Sequence, residues 1–137
     1  MKLENNWRQK NLEALEKDVW PSLNRDEDSY LINTCNSLRK KPLQDFTIED
    51  LRIMISQEIG LPFLVSLAIE KLREDLFVGG DLYEGDLLKS VLDIDTRFWD
   101  NNQDYWEALN AILKDRYQEI VEMKIDTLKF RNSRPVK

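Results

Sequence analysis

The strongest structural signal in this chain lies in residues 47–77, TIEDLRIMISQEIGLPFLVSLAIEKLREDLF. A hydroxyl at Thr47 and a carboxylate three residues later, at Asp50, are typical of the capping box that begins a helix. Gly60 offers the left-handed backbone with which helices end, and Pro62 is tolerated in the first turn of the next helix. The stretch therefore predicts two helices joined by a tight turn.

The second helix of this hairpin, from Pro62 to about Phe77, is rich in apolar residues. They cover more than one face in its first half, which is typical of a helix surrounded by other helices. We expect it to be the central and most buried helix. Its apolar residues are Phe63, Leu64, Val65, Leu67, Ala68, Ile69, Leu72, Leu76 and Phe77.

Two helices are predicted before the hairpin. The first covers roughly residues 5–19 and is stopped by Pro21. The second begins after Asp28 or Ser29 and ends in the basic triplet at residues 39–41, where cations complement the negative end of the helix dipole. Its inward-facing residues are Leu31, Cys35 and Leu38.

Two more helices are predicted after the hairpin. A short one covers residues 85–92, and a long final one is capped by Asn102 or Asp100, with Phe98 and Trp99 in the connector between them. The apolar stripe of the final helix steps by three and four residues. It consists of Trp106, Leu109, Leu113, Tyr117 and Ile120.

The predicted fold class is therefore all-α, a compact bundle of about six to seven helices built from hairpins with short turns. We expect a single domain over residues 1–128. The last nine residues, 129–137, hold four cations and no anion and are predicted to form a flexible basic tail.

The composition excludes several classes of function. The 137 residues contain no histidine, the commonest general base and nitrogen ligand of zinc, and Cys35 is the only cysteine. Neither DLYEGD nor DIDTRFWDNNQD has the ligand spacing of a calcium-binding loop. We expect a protein that is not an enzyme, with no catalytic residues, no cofactor and no metal.

The chain is acidic, with a formal net charge of −6, which disfavours nucleic acid as a direct partner. It has no apolar run of the roughly 20 residues that span a bilayer, and its N-terminus is too polar for a signal peptide. The sequence therefore predicts a cytoplasmic protein without membrane association, whose partner is a basic protein.

The acidity is concentrated in residues 68–107, which hold eleven anions and four cations. Each acid alone reads as a solvated or capping residue, but as a group with neighbouring aromatic residues they would steer and anchor a basic partner. The centre of the group is the glycine-rich stretch GGDLYEGDLL, residues 79–88. The predicted partner-binding residues are Asp81, Tyr83, Glu84, Asp86, Asp93, Asp95, Trp99 and Asp100.

Residues 37–92 resemble a family of immunity proteins of bacterial contact-dependent growth inhibition systems. The resemblance is carried by LRKKPL at 38–43, DFTIEDLR at 45–52, AIE at 68–70 and GDLYEGDLL at 80–88. It implies a cytoplasmic protein, encoded beside a toxin, that binds the C-terminal domain of that toxin and protects the producing cell. Such toxin domains are often nucleases, whose basic clefts an acidic protein would complement.

Two other interpretations remain open at this point. One is a non-enzymatic helical adaptor or regulator that binds a basic protein other than a toxin. A more distant one is a hydrolase that uses two of the carboxylates as acid and base, a geometry that a sequence cannot show.

Overall fold

Helices account for all the regular structure in residues 5–20 and 30–135, the part of the chain that this computed structural model describes. No strand occurs there, and the predicted all-α class is confirmed. The helices in these residues are α1 (Leu12–Glu16), α2 (Tyr30–Leu38), α3 (Ile48–Ser56), α4 (Leu61–Glu74), α5 (Asp86–Leu92), α6 (Thr96–Asp100), α7 (Gln103–Lys114), α8 (Tyr117–Glu122) and α9 (Leu128–Arg131).

The predicted hairpin is formed by α3 and α4. Thr47 Oγ1 accepts a hydrogen bond from the backbone N–H of Asp50 at 3.1 Å, and the Asp50 carboxylate accepts one from the N–H of Thr47 at 3.0 Å. Gly60 has φ of 65°, and a Cβ at this position would lie 2.7 Å from a methyl group of Leu12. Only glycine therefore satisfies both the turn and the packing of α1 against it.

The central position predicted for the fourth helix is confirmed. Eight residues of α4 are buried, and the helix packs against α3, α5 and α7. Burying a leucine or isoleucine side chain stabilises the fold by about 2 kcal/mol relative to leaving it in water. Helix α4 therefore supplies more buried residues than any other helix in the described part of the chain.

The region before the hairpin is less regular than predicted. A single-turn 3-10 helix, Trp7–Gln9, precedes α1. Asn11 lies between the two helices and caps α1, because its side chain accepts a hydrogen bond from the N–H of Ala14 at 2.8 Å.

In α2, Cys35 is buried as predicted, whereas Leu31 is 39% exposed. The predicted helix stop at Pro21 and helix start at residues 28–29 lie outside the described residues.

Arg39 is buried, although the sequence suggested only a cation in a last helical turn. Its guanidinium pairs with Glu16, donates a hydrogen bond to the carbonyl oxygen of Asp18, and lies 4.6 Å from the centroid of the Trp20 ring. It therefore joins α1 and the segment after it to the end of α2.

The region after the hairpin contains more helices than predicted. Phe98 and Trp99 lie in α6 rather than in a connector, because Asp95 caps a helix there by accepting a hydrogen bond from the N–H of Arg97 at 2.9 Å. The long final helix is broken at residues 115–116 into α7 and α8.

The basic C-terminal segment is also more ordered than predicted. Phe130 of α9 is fully buried, with its ring 5.0 Å from that of Trp106 and 5.2 Å from that of Trp99. The indole N–H of Trp106 donates to the carbonyl oxygen of Phe130 at 3.0 Å. Residues 129–135 therefore pack against the domain, which corrects the prediction of a tail that begins at Lys129.

Candidate functional site

The glycine loop, residues 79–85, lies between the segment that follows α4 and the start of α5. The carboxylate of Asp86 lies on its inner side and binds its backbone. Asp86 accepts hydrogen bonds from the backbone N–H groups of Gly80 at 2.6 Å, Leu82 at 3.0 Å and Tyr83 at 3.3 Å. Its side chain is almost completely shielded from solvent. Asp86 therefore fixes the course of the loop backbone.

Helix α3 holds the loop from the other side. The carboxylate of Glu49 accepts a hydrogen bond from the N–H of Asp81 at 2.9 Å and two from the Arg52 guanidinium, at 2.7 and 2.5 Å. Arg52 Nε also lies 3.8 Å from Asp86 Oδ2. The hydrogen bond from Arg52 lowers the pKa of Glu49, and the same bond raises the pKa of Arg52. One guanidinium thus links the two carboxylates that position the loop.

The close approach of the loop to α3 requires glycine at position 80. A Cβ on Gly80 would lie 2.5 Å from Glu49 Oε1 and 3.2 Å from the Cα of the same residue. The absence of a side chain therefore lets the Glu49 carboxylate reach the loop backbone.

The outer side of the loop presents acidic and apolar side chains together. Asp81 and Glu84 are exposed, Leu82 is 62% exposed and Tyr83 is 48% exposed. Within the described residues, neither Asp81 nor Glu84 forms an ion pair. The structure thus brings three of the predicted partner-binding residues, Asp81, Tyr83 and Glu84, onto one exposed loop.

Two predicted partner-binding residues are corrected because they are buried. Asp86 turns its charge toward the loop backbone and Arg52, so it cannot serve as a surface charge. Trp99 is fully buried, with edge-to-face contacts to Phe98 and Phe130 at ring distances of 5.2 Å each. Both residues act in the structure of the domain.

The remaining predicted acids differ in how much free charge they present. Asp93 is exposed and lies 3.3 Å from the ammonium of Lys89. Asp95 is paired with Arg97 at 2.9 Å, and hydrogen bonding by Arg97 lowers the pKa of Asp95 to about 2. Asp100 is exposed at the end of α6 and is not among the residues that line the two depressions beside the loop. Of these three, only Asp93 lines a depression together with Tyr83.

Two grooves flank the glycine loop. The first, which we call the loop groove, has a volume of about 210 Å³ and lies between the loop, α5 and the end of α3. The second, the α2–α3 groove, has a volume of about 760 Å³ and lies between the first turns of α2, the outer face of α3 and residues 79–81. Arg52 lines both grooves, so they adjoin along α3.

Sequence analysis missed three residues at this site. The sequence names Glu49 and Arg52 only as part of the DFTIEDLR stretch of the resemblance, with no role at the loop, and it does not single out Glu58, which lines the loop groove. Glu49 meets Asp81 across 32 positions of sequence. No local spacing signals a contact of that range.

Two observations concern the chemistry that the described residues could support, and a third concerns the membrane. No group of three or more carboxylates and thiols within residues 5–20 and 30–135 is placed to hold a metal ion. Burial raises the pKa of the Cys35 thiol, which therefore stays protonated at neutral pH. The same part of the chain has no helix that is both long and apolar enough to cross a bilayer.

Comparison with known protein families finds a match to this chain. The family model described as CDI immunity proteins, where CDI stands for contact-dependent growth inhibition, matches residues 14–109, well over half of the chain. The matched region includes α2 to α6, the glycine loop and both grooves. Neither a curated protein nor a solved structure matches the chain.

Proposed function

Because this chain belongs to the CDI immunity proteins, we propose that it binds the C-terminal toxin domain of a contact-dependent growth inhibition system and that this toxin domain is a nuclease. Proteins of this family neutralise a toxin and act as inhibitors rather than as enzymes. In the proposed role the chain remains in the cytoplasm of the producing cell and blocks the toxin domain there.

The observation that carries the proposal is the exposed side of the glycine loop. Asp81 and Glu84 present two carboxylates without ion pairs in the described structure, and Tyr83 between them supplies an aromatic contact. A nuclease cleft is basic because it binds phosphates, mainly through lysine and arginine. Negative charges on a preformed loop would be attracted to such a cleft and would guide the encounter.

The proposed contact residues are ranked by exposure and by free charge. Asp81, Tyr83 and Glu84 form the centre, and Asp93 extends it along the loop groove. Asp95 and Asp100 are placed at the periphery, since Arg97 neutralises the first and the second lines neither groove. Glu58 joins the set because it is exposed and lines the loop groove together with Asp93.

The test uses the purified chain and the toxin domain encoded beside it. We expect the wild-type chain to bind this domain and to abolish its cleavage of RNA or DNA. The double variant Asp81→Lys/Glu84→Lys should weaken binding by about 10-fold or more, because it reverses two charges at the centre of the contact.

A matched control carries the same change of charge elsewhere. Asp115→Lys/Glu122→Lys alters two exposed acids, one at the C-cap of α7 and one at the last residue of α8, and both line neither groove. It should bind like wild type. Equal weakening by both double variants would assign the effect to net charge, and undiminished binding by the loop variant would place the contact elsewhere.

A further inference from the structure

The α2–α3 groove combines an apolar wall with an acidic rim. Tyr30 is 83% exposed and Leu31 is 39% exposed on the first turn of α2, and Ile53 of α3 lies in the groove beside them. An exposed tyrosine next to an exposed leucine leaves apolar surface in contact with water. Such surface is a frequent mark of a binding site when polar residues rim it.

Exposed apolar side chains are concentrated around the glycine loop. Tyr30 and Leu31 line the α2–α3 groove, and Leu82 and Tyr83 line the loop groove. They make up half of the large apolar residues exposed in the described structure, the others being Val19, Ile32, Val121 and Leu128. Because Arg52 borders both grooves, a partner that covers Asp81 would reach apolar surface on either side.

The charges around the α2–α3 groove specify the chemistry of its occupant. Three of its lining residues are acidic, Glu49, Asp50 and Asp81, and one is basic, Arg52. Glu49 and Asp50 already pair with Arg52 and Lys41. Asp81 makes no ion pair within residues 5–20 and 30–135, and it lies where the groove meets the loop. The charge without an ion pair at this groove is therefore negative and lies next to an apolar wall, although it also acts electrostatically on Arg52.

We propose that the α2–α3 groove is the apolar half of the toxin-docking surface. It receives a segment of the toxin domain that places an apolar side chain against Tyr30, Leu31 and Ile53, and a neighbouring lysine or arginine beside Asp81. This inference rests on the proposed function and adds to it a surface on α2, which lies more than 40 residues before the loop in sequence.

The two halves of the surface should act on different rate constants. Loop charges act at a distance and mainly set the rate of association, which falls as salt screens them. Apolar contacts that are desolvated in the complex mainly set the rate of dissociation. Kinetic measurement of binding to the purified toxin domain at low and high salt therefore separates them.

The groove variant is Tyr30→Ser/Leu31→Ser, and its matched control is Val121→Ser/Leu128→Ser, which alters two exposed apolar residues that line neither groove. We expect the groove variant to dissociate at least about 10-fold faster at both salt concentrations, since both side chains lie at the centre of the proposed apolar contact, where truncation costs most. The control should match wild type. Thr34→Lys, which introduces a cation into the groove and keeps Tyr30 and Leu31, should weaken binding too.

The outcomes distinguish the two proposals. If wild type does not bind the toxin domain, the proposed function fails and this inference fails with it. If wild type binds, the loop variant binds more slowly, and both groove variants behave like the control, then the inference alone is overturned. Melting curves of all variants identify any loss of binding that is due to unfolding, and Thr34→Lys decides the question if the double serine variant does not fold.

Discussion

Asp86 turns its charge inward, and three backbone N–H groups of the glycine loop depend on that single carboxylate. We predict that Asp86→Ala lowers the free energy of unfolding by about 3 kcal/mol, because it leaves these three donors without their acceptor and removes a buried negative charge beside Arg52. Urea unfolding of the purified variant measures the change. Asp81→Ala removes an exposed carboxylate five positions away and should stay within about 0.5 kcal/mol of wild type.

Equal effects of the two substitutions would show that the loop does not depend on Asp86.

The residue type alone does not distinguish an exposed aspartate such as Asp81 from a buried one such as Asp86. Sequence analysis treated Asp81, Glu84 and Asp86 alike, since each is an acid beside a glycine. Whether an aspartate accepts hydrogen bonds from its own loop is decided by the path of the backbone. Trp99 was misassigned for a related reason, because its partner in the core, Phe130, is 31 residues away.

At the level of the element, α3 and α8 end in the same motif without a glycine. After α8, the N–H of Lys124 donates to the carbonyl oxygen of Val121 at 2.9 Å and that of Ile125 to Ile120 at 3.1 Å, with Lys124 at φ of 59°. Glu58 occupies the equivalent left-handed position after α3, at φ of 56°. A residue with a Cβ is strained by about 1 kcal/mol in this conformation.

We predict that Lys124→Gly raises the free energy of unfolding by about 0.5–1 kcal/mol, because glycine adopts the left-handed conformation without that strain. Thermal and urea unfolding measure the gain. Lys124→Ala removes the same charge and keeps the Cβ, so it should give no increase. An equal gain from alanine would assign the effect to the lysine side chain rather than to the backbone.

Elements whose ends are set by nearby residues were predictable from sequence, and those set by distant packing were not. Thr47 and Asp50 start α3, and Gly60 and Pro62 start α4, through contacts within a few positions. The left-handed residue that ends α3 is Glu58 and not the predicted Gly60. The break between α7 and α8 falls within one continuous apolar stripe, where no proline or glycine marks it. Helix α9 was missed because Phe130 contacts Trp106 and Trp99, neither of which is near it in sequence.

For the molecule as a whole, the C-terminal segment completes the core that α4 begins. Phe130 is fully buried between two tryptophans and lies outside the region matched by the family model. We predict that Phe130→Ala lowers the free energy of unfolding by about 4 kcal/mol, because it opens a cavity between the rings of Trp99 and Trp106. Urea unfolding followed by tryptophan fluorescence reports both the stability and the local environment.

Leu128→Ala is the matched control, since Leu128 lies on the same short helix and is 52% exposed. It should cost less than about 1 kcal/mol. If both variants unfold at the same urea concentration as wild type, the segment contributes nothing to the core and the sequence-based prediction of a flexible tail would be restored.

The attachment of the glycine loop through its backbone amides has an evolutionary consequence. Asp86 and Glu49 bind N–H groups, which every residue except proline possesses, so the side chains at positions 81 to 84 are not needed to hold the loop. Residues other than proline at these positions therefore keep the hydrogen bonds that hold the loop. Under the proposed docking, a lineage can keep one scaffold while it changes the loop side chains, and part of a diverged toxin surface can then be matched by a few substitutions in this short segment.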